Sequence, residues 1–115
     1  MTRLLRLAFW AATLFAFVMA ALPQPPRVPG DPPDKILHII AFAVLAALAS
    51  LAYRRTNKLV LLAGLSLFGA LIEIVQLVPS LHRDGDIVDW IADSLSAGLV
   101  LGLAALIERA QRVAR

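Results

Sequence analysis

Four long apolar stretches, separated by short polar connections, dominate the pattern of this chain. None of them shows the alternation of apolar and polar positions that marks a β-strand. Each comes close to the ~20 residues that a helix needs to cross the ~30 Å hydrocarbon core of a bilayer. Because a segment in lipid must satisfy its own backbone hydrogen bonds, these stretches are expected to be helices. The pattern predicts an all-α, four-helix transmembrane bundle with helices at 4–22, 36–53, 59–78 and 87–107.

The connections support one domain spanning residues 1–115. The segment 23–33 holds six prolines in eleven residues, which excludes a helix there. Residues 54–58 form a short polar turn, 79–85 make the third connection, and a basic tail is expected after residue 107.

Composition narrows the function classes. Hydrophobic residues make up 60% of the chain and charged residues 17%, against about a quarter charged in a typical soluble domain. There are no cysteines, which excludes disulfides, thiolate metal sites and cysteine nucleophiles. The net charge of +3 comes from small clusters between apolar runs and forms no basic face, so nucleic-acid binding is not expected.

The basic residues predict the orientation. Cytoplasmic loops of membrane proteins carry an excess of lysine and arginine, and here eight such residues fall on one side against three on the other. The chain is therefore expected in the bacterial inner (cytoplasmic) membrane with both termini in the cytoplasm. Residues 3–20 also resemble a secretory signal peptide, and cleavage there would leave the other three helices in the same orientation. The larger group is Arg3, Arg6, Arg54, Arg55, Lys58, Arg109, Arg112 and Arg115; the smaller is Arg27, Lys35 and Arg83.

Ionisable and polar residues gather where the second and fourth helices begin and the third ends, which is the predicted outer end. Within each helix they are three or four positions apart, so they share one face. A charged side chain facing lipid is costly, so these faces are expected to point inward and form one site. The candidate residues are Asp34, Lys35, His38, Glu73, Gln76, Arg83, Asp86, Asp89 and Asp93.

Some of these residues have a structural alternative. Asp86 and Asp89 are spaced like an N-cap and its capping partner, and Asp34 can cap the second helix. Lys35 can be an interfacial anchor, and Gln76 an interhelical hydrogen-bonding residue.

Capping does not account for Glu73 or Asp93. Glu73 approaches the end of its helix, where the helix dipole disfavours an anion, and Asp93 lies beyond the first turn of the fourth helix. Both are expected to be protonated or paired, either in a functional site or as polar contacts between helices. The predicted partners are Lys35, His38 and Arg83.

Gly98 and Gly102 form a GxxxG pair on the fourth helix. Such pairs allow close helix packing, either inside the bundle or between two copies of the chain. A homo-oligomer through these glycines is therefore one expected partner interaction, beside the lipid bilayer.

Three motifs in order resemble the VanZ-like family of small integral membrane proteins. Asp34-Lys35-Ile36-Leu37-His38 is similar to the family's D-K-x-x-H signature, and Glu73 to Gln76 with Arg83 resembles its E-x-x-Q and arginine loop. The segment 86–98 resembles its aspartate-rich last helix, so the resemblance covers roughly residues 34–102.

The resemblance implies a protein of the cell envelope linked to resistance to teicoplanin-type glycopeptides. The outer polar site would bind an envelope component such as a lipid-linked precursor, with no metal and no cofactor. The alternative is an intramembrane enzyme acting on a lipid-linked substrate, with Glu73 or Asp93 as acid or base, His38 as proton carrier and Arg83 holding an anion. A metal site of His38, Glu73 and Asp93 is a variant of that alternative. Proton-coupled transport is disfavoured because the cytoplasmic halves of the helices offer no polar continuation.

Overall fold

The described part of the chain is helical. The computed structural model describes residues 1–22, 30, 34–81 and 86–114, and within these ranges it holds no strand. Its elements are α1 (Thr2–Ala21), α2 (Asp34–Ala52), α3 (Lys58–Gln76), a short 3₁₀ turn (Pro79–Leu81) and α4 (Ile87–Ala114). All four α-helices are long and apolar enough to cross a membrane. The predicted all-α fold with four such helices is confirmed.

The end of α4 differs from the prediction. The first three helices begin and end within two residues of the predicted positions, whereas α4 continues to Ala114, seven residues beyond the expected end. The added residues are good helix formers and include neither glycine nor proline. The predicted end of the last helix at residue 107 is therefore wrong, and Arg109 and Arg112 of the basic tail lie on the exposed surface of the last turns of α4.

The helices run alternately up and down. At one end of the bundle, Gln76 near the end of α3 contacts Ala20 near the end of α1. At the other end, Lys58 at the start of α3 pairs with Glu108 of α4. We call the first the polar end, where α1 and α3 end and α2 and α4 begin, and the second the opposite end. Helix α2 is central, because it packs against α1, α3 and, most extensively, α4.

Small and apolar side chains fill the interior while large apolar side chains cover the outside. Phe42, Leu45, Ala46 and Ala49 of α2 are almost completely buried. The outer surface exposes many leucines, isoleucines and valines, which a soluble protein of this size would bury. This surface is compatible with contact to lipid.

The glycines differ in their surroundings. Gly69 is buried, and a Cβ atom placed on it would lie 3.3 Å from the ring of Phe42. Gly98 faces Leu62 of α3, to which such an atom would be 3.9 Å away, whereas one on Gly102 would meet no described atom within 4 Å. Among the described residues, the first glycine of the GxxxG pair thus faces another helix and the second does not, and the predicted homo-oligomer stays a prediction.

Candidate functional site

Three ionisable side chains from three helices meet inside the polar end. His38 of α2, Glu73 of α3 and Asp93 of α4 are all buried, and one ligand atom of each lies within 4.8 Å of the others. The His38 Nδ1 atom is 3.6 Å from Asp93 Oδ2 and 3.8 Å from Glu73 Oε1. Both separations are longer than a hydrogen bond, so the contacts are electrostatic. We call these three residues the carboxylate–histidine cluster.

The helix ends position this cluster at one depth. His38 is four residues from the start of α2, Glu73 three from the end of α3, and Asp93 six from the start of α4. At 1.5 Å per residue, all three lie within about 10 Å of the helix ends. The cluster therefore contains one residue from each of the three motifs.

Glu73 also holds the start of α4. Its Oε2 accepts a 2.8 Å hydrogen bond from the backbone N–H of Asp86, and Asp86 Oδ1 accepts one from the N–H of Val88. The capping role predicted for Asp86 is confirmed. In a capping box, the side chain of Asp89 would accept a hydrogen bond from the backbone N–H of Asp86. Here the Glu73 side chain of α3 accepts that hydrogen bond instead.

Lys35 and Asp89 form a second pair beside the cluster. Lys35 Nζ is 3.9 Å from Asp89 Oδ1; the lysine side chain is 45% exposed, whereas the aspartate is buried. Lys35 therefore contacts Asp89, where the sequence had suggested Glu73 or Asp93 as its partner. A half-exposed cation thus lies at the rim of the polar end.

Gln76 joins two helices. It is completely buried, and its Nε2 donates a 3.1 Å hydrogen bond to the carbonyl oxygen of Ala20 in α1. The alternative of an interhelical hydrogen bond is therefore confirmed for this residue.

The remaining predicted site residues have no described side chain. The backbone of Asp34 begins α2, but its side chain lies outside what the structure describes. Arg83, with its neighbour His82, lies in the segment 82–85, outside the described residues.

Asp93 has the most unusual surroundings in the cluster. It is 1% exposed, and neither of its carboxylate oxygens accepts a hydrogen bond from any residue that the structure describes. Buried carboxylates are normally satisfied by several donors. Its one ionic contact in the described part of the chain is with His38.

Sequence reasoning missed several polar contacts between helices. Ser66 of α3 and Ser94 of α4 are 3.0 Å apart, and the indole N–H of Trp90 donates to the carbonyl of Ser66. Ser96 Oγ donates to the carbonyl of Ile39 in α2. Ser94 and Ser96 lie one and three positions after Asp93, and Ser66 lies seven positions, or about two helical turns, before Glu73. Their place on apolar helices near the cluster residues was the only available signal.

The opposite end has polar contacts as well. The Arg6 guanidinium donates to the carbonyl of Ala52 and lies 4.6 Å from the ring centre of Tyr53. The indole N–H of Trp10 donates to the Tyr53 hydroxyl. Tryptophan and tyrosine are enriched where helices leave a membrane, so these residues fit an interfacial anchor.

Together, fold and site define an all-helical protein with four helices of membrane-spanning length and a buried carboxylate–histidine cluster at one end. Comparisons with protein-family models, with curated proteins and with solved structures give no match to this chain. The functional argument therefore depends on the geometry of the cluster.

Proposed function

We propose that this chain is a VanZ-like integral membrane protein of the bacterial cytoplasmic membrane, with both termini in the cytoplasm and the polar end outside. The polar end binds a polar envelope component, such as the headgroup of a lipid-linked precursor. This binding contributes to resistance against teicoplanin-type glycopeptides.

The carboxylate–histidine cluster is the observation that carries the proposal. His38, Glu73 and Asp93 come from the three motifs that resemble the family, and they are 35 and 20 residues apart in sequence. Their side chains nevertheless lie close together in the interior of the polar end. That convergence supports a common role for the three motifs.

The rim of the polar end has the chemistry for an anionic headgroup. Lys35 is half-exposed beside the buried Asp89, and the cluster lies within about two helical turns of the helix ends. A lysine ammonium group is a common partner of phosphate oxygens. The headgroup would contact this rim while the lipid chains stay in the bilayer along the apolar outer surface.

The test compares teicoplanin susceptibility in a sensitive bacterium that expresses the wild-type chain or single variants. Asp93→Asn and His38→Gln keep the size of the side chain and change its charge or proton chemistry. Glu108→Gln is the matched control, since it makes a similar change at the opposite end. Membrane content and detergent gel filtration of each variant report on folding.

We expect the wild type and Glu108→Gln to raise resistance equally, and Asp93→Asn to remove the increase while the protein stays folded. If the wild-type chain leaves susceptibility unchanged and copurifies with no envelope lipid detectable by mass spectrometry, the proposal is wrong.

One observation favours an intramembrane acid–base enzyme as the second candidate. Asp93 is buried without a described hydrogen-bond donor and lies 3.6 Å from His38. A small approach on substrate binding would bring the two groups to the distance at which a proton is transferred. In this alternative the wild type converts a lipid-linked substrate in detergent, and Asp93→Asn binds that substrate without converting it. If the wild type binds the lipid-linked substrate without converting it, the enzyme alternative is wrong and the binding proposal remains.

A further inference from the structure

The carboxylate–histidine cluster places two buried carboxylates beside one imidazole. The His38 Nδ1 atom lies within 4 Å of both Glu73 and Asp93. An ionised carboxylate at membrane depth is costly unless a cation compensates it, and two of them carry more negative charge than one protonated imidazole balances. A metal ion bound between these side chains would supply positive charge where it is needed.

The spacing of the cluster approaches that of ligands around one metal ion. Two ligands bound at 2.0–2.1 Å to a tetrahedral ion stand about 3.3–3.4 Å apart. The His38 Nδ1 atom is 3.6 Å from Asp93 Oδ2 and 3.8 Å from Glu73 Oε1, both too long for hydrogen bonds. The ligand atoms of the three residues lie within 4.8 Å of one another, so the two carboxylates would move towards each other on binding an ion.

The two carboxylates have free coordination capacity. Within the described ranges, no residue donates a hydrogen bond to either carboxylate oxygen of Asp93. The same holds for the Oε1 atom of Glu73. Glu73 can bind an ion through Oε1 while its Oε2 keeps the hydrogen bond from the Asp86 N–H. Hydrogen bonds of this kind orient the carboxylates that bind metals in other proteins.

We propose that His38, Glu73 and Asp93 bind one divalent transition-metal ion, with Zn²⁺ as the best match. One imidazole and two carboxylates are usual zinc ligands. Mg²⁺ and Ca²⁺ prefer sites made only of oxygen atoms, and Ca²⁺ takes six to eight of them. Three protein ligands leave a coordination position for water or for an oxygen of a bound molecule, as in catalytic zinc sites.

This metal site goes beyond the proposed envelope function and does not depend on it. Zinc binding is measured with the metal alone, so a chain that binds zinc but does not affect teicoplanin susceptibility would refute only the earlier proposal. A chain that alters susceptibility without binding metal would refute only this one.

The experiment uses the full chain, purified without a histidine tag, in detergent after removal of metal with a chelator. Zn²⁺ is titrated by calorimetry and its stoichiometry is measured by elemental analysis. Co²⁺ replaces Zn²⁺ in a second titration, because tetrahedral Co²⁺ absorbs visible light far more strongly than octahedral Co²⁺ on a protein surface. The variants are Asp93→Asn and His38→Gln, with Glu108→Gln as the control.

We expect the wild type and the control to bind one Zn²⁺ per chain and to show the strong Co²⁺ bands. Loss of a residue that merely orients a ligand typically lowers metal affinity about 10- to 100-fold. Loss of a ligand, in Asp93→Asn or His38→Gln, should therefore lower it by about 100-fold or more and abolish the bands. A wild-type chain without stoichiometric Zn²⁺ would overturn the proposal even if both variants failed to fold. Equal binding by all four proteins would do so too, because the metal would then lie elsewhere.

Discussion

Glu73 and Asp93 belong to the same cluster, but their replacement should affect the free energy of unfolding differently. Glu73 accepts a 2.8 Å hydrogen bond from the Asp86 N–H, which links α3 to the start of α4. Hydrogen bonds to charged groups contribute about 1.5–3 kcal/mol. Glu73→Ala removes this acceptor and leaves the N–H without it, so we expect the free energy of unfolding to fall by about 2–3 kcal/mol.

The matched amide variant of Glu73 refines this expectation. Glu73→Gln keeps a neutral acceptor oxygen at the same position. Because a charge-assisted hydrogen bond is roughly twice as strong as a neutral one, we expect this variant to lose about 1 kcal/mol.

Asp93→Asn should leave the free energy of unfolding unchanged or raise it. No described residue donates a hydrogen bond to Asp93, so the substitution gives up none, and it removes one of the buried negative charges. His38 keeps Glu73 as a neighbour, at 3.8 Å.

The assay is reversible unfolding in mixed micelles, with a chelator present so that no metal ion contributes. Circular dichroism follows the loss of helix, and the wild type is the reference. If Asp93→Asn lowers the free energy of unfolding as much as Glu73→Ala does, Asp93 is a structural contact between helices, and the expected difference between the two residues is refuted. If Glu73→Ala costs nothing, the link to Asp86 does not stabilise the bundle.

Two further predictions concern packing and orientation. Gly69→Ala places a methyl group 3.3 Å from the Phe42 ring, whereas the same change at Gly64 meets no described atom within 4 Å. Thermal unfolding in detergent should therefore show a lower midpoint for Gly69→Ala than for Gly64→Ala. Equal midpoints would contradict the tight packing around Gly69. Because the chain has no cysteine of its own, single cysteines report on topology: Ser80→Cys should react with a membrane-impermeant maleimide in intact cells, and Ala110→Cys only after permeabilisation. The reverse labelling pattern would overturn the proposed orientation.

The four helices could be predicted because length and apolar composition decide whether a segment can span a membrane. The end of α4 could not be predicted in the same way. Hydropathy falls at Glu108, where the apolar run ends, but the residues that follow still favour a helix. A boundary read from hydropathy marks where an apolar surface stops, and the helix continues to Ala114.

The site could be predicted in part. Spacing of three and four placed the polar residues on one face of each helix, and the common depth followed from their distance to the helix ends. The pairing was not predictable, because it depends on how each helix is rotated against its neighbours. Lys35 contacts Asp89, and the Glu73 carboxylate reaches the backbone of Asp86. Both contacts are set by the packing of one helix on another, which a linear pattern does not contain.

The structural contacts determine which residues can report on function. Glu73 accepts a hydrogen bond at the start of α4, and Gln76 donates one to α1. Replacing either residue therefore alters the bundle whether or not the site has a function. Asp93 makes no such bond with the described residues and nevertheless occupies a buried position at membrane depth, where an apolar residue would cost less. A buried carboxylate whose oxygens accept no hydrogen bond from another described residue, and whose contact with His38 is only ionic, is better explained by something that it binds. Asp93, with His38 beside it, is therefore the position at which a loss of activity can be separated from a loss of fold.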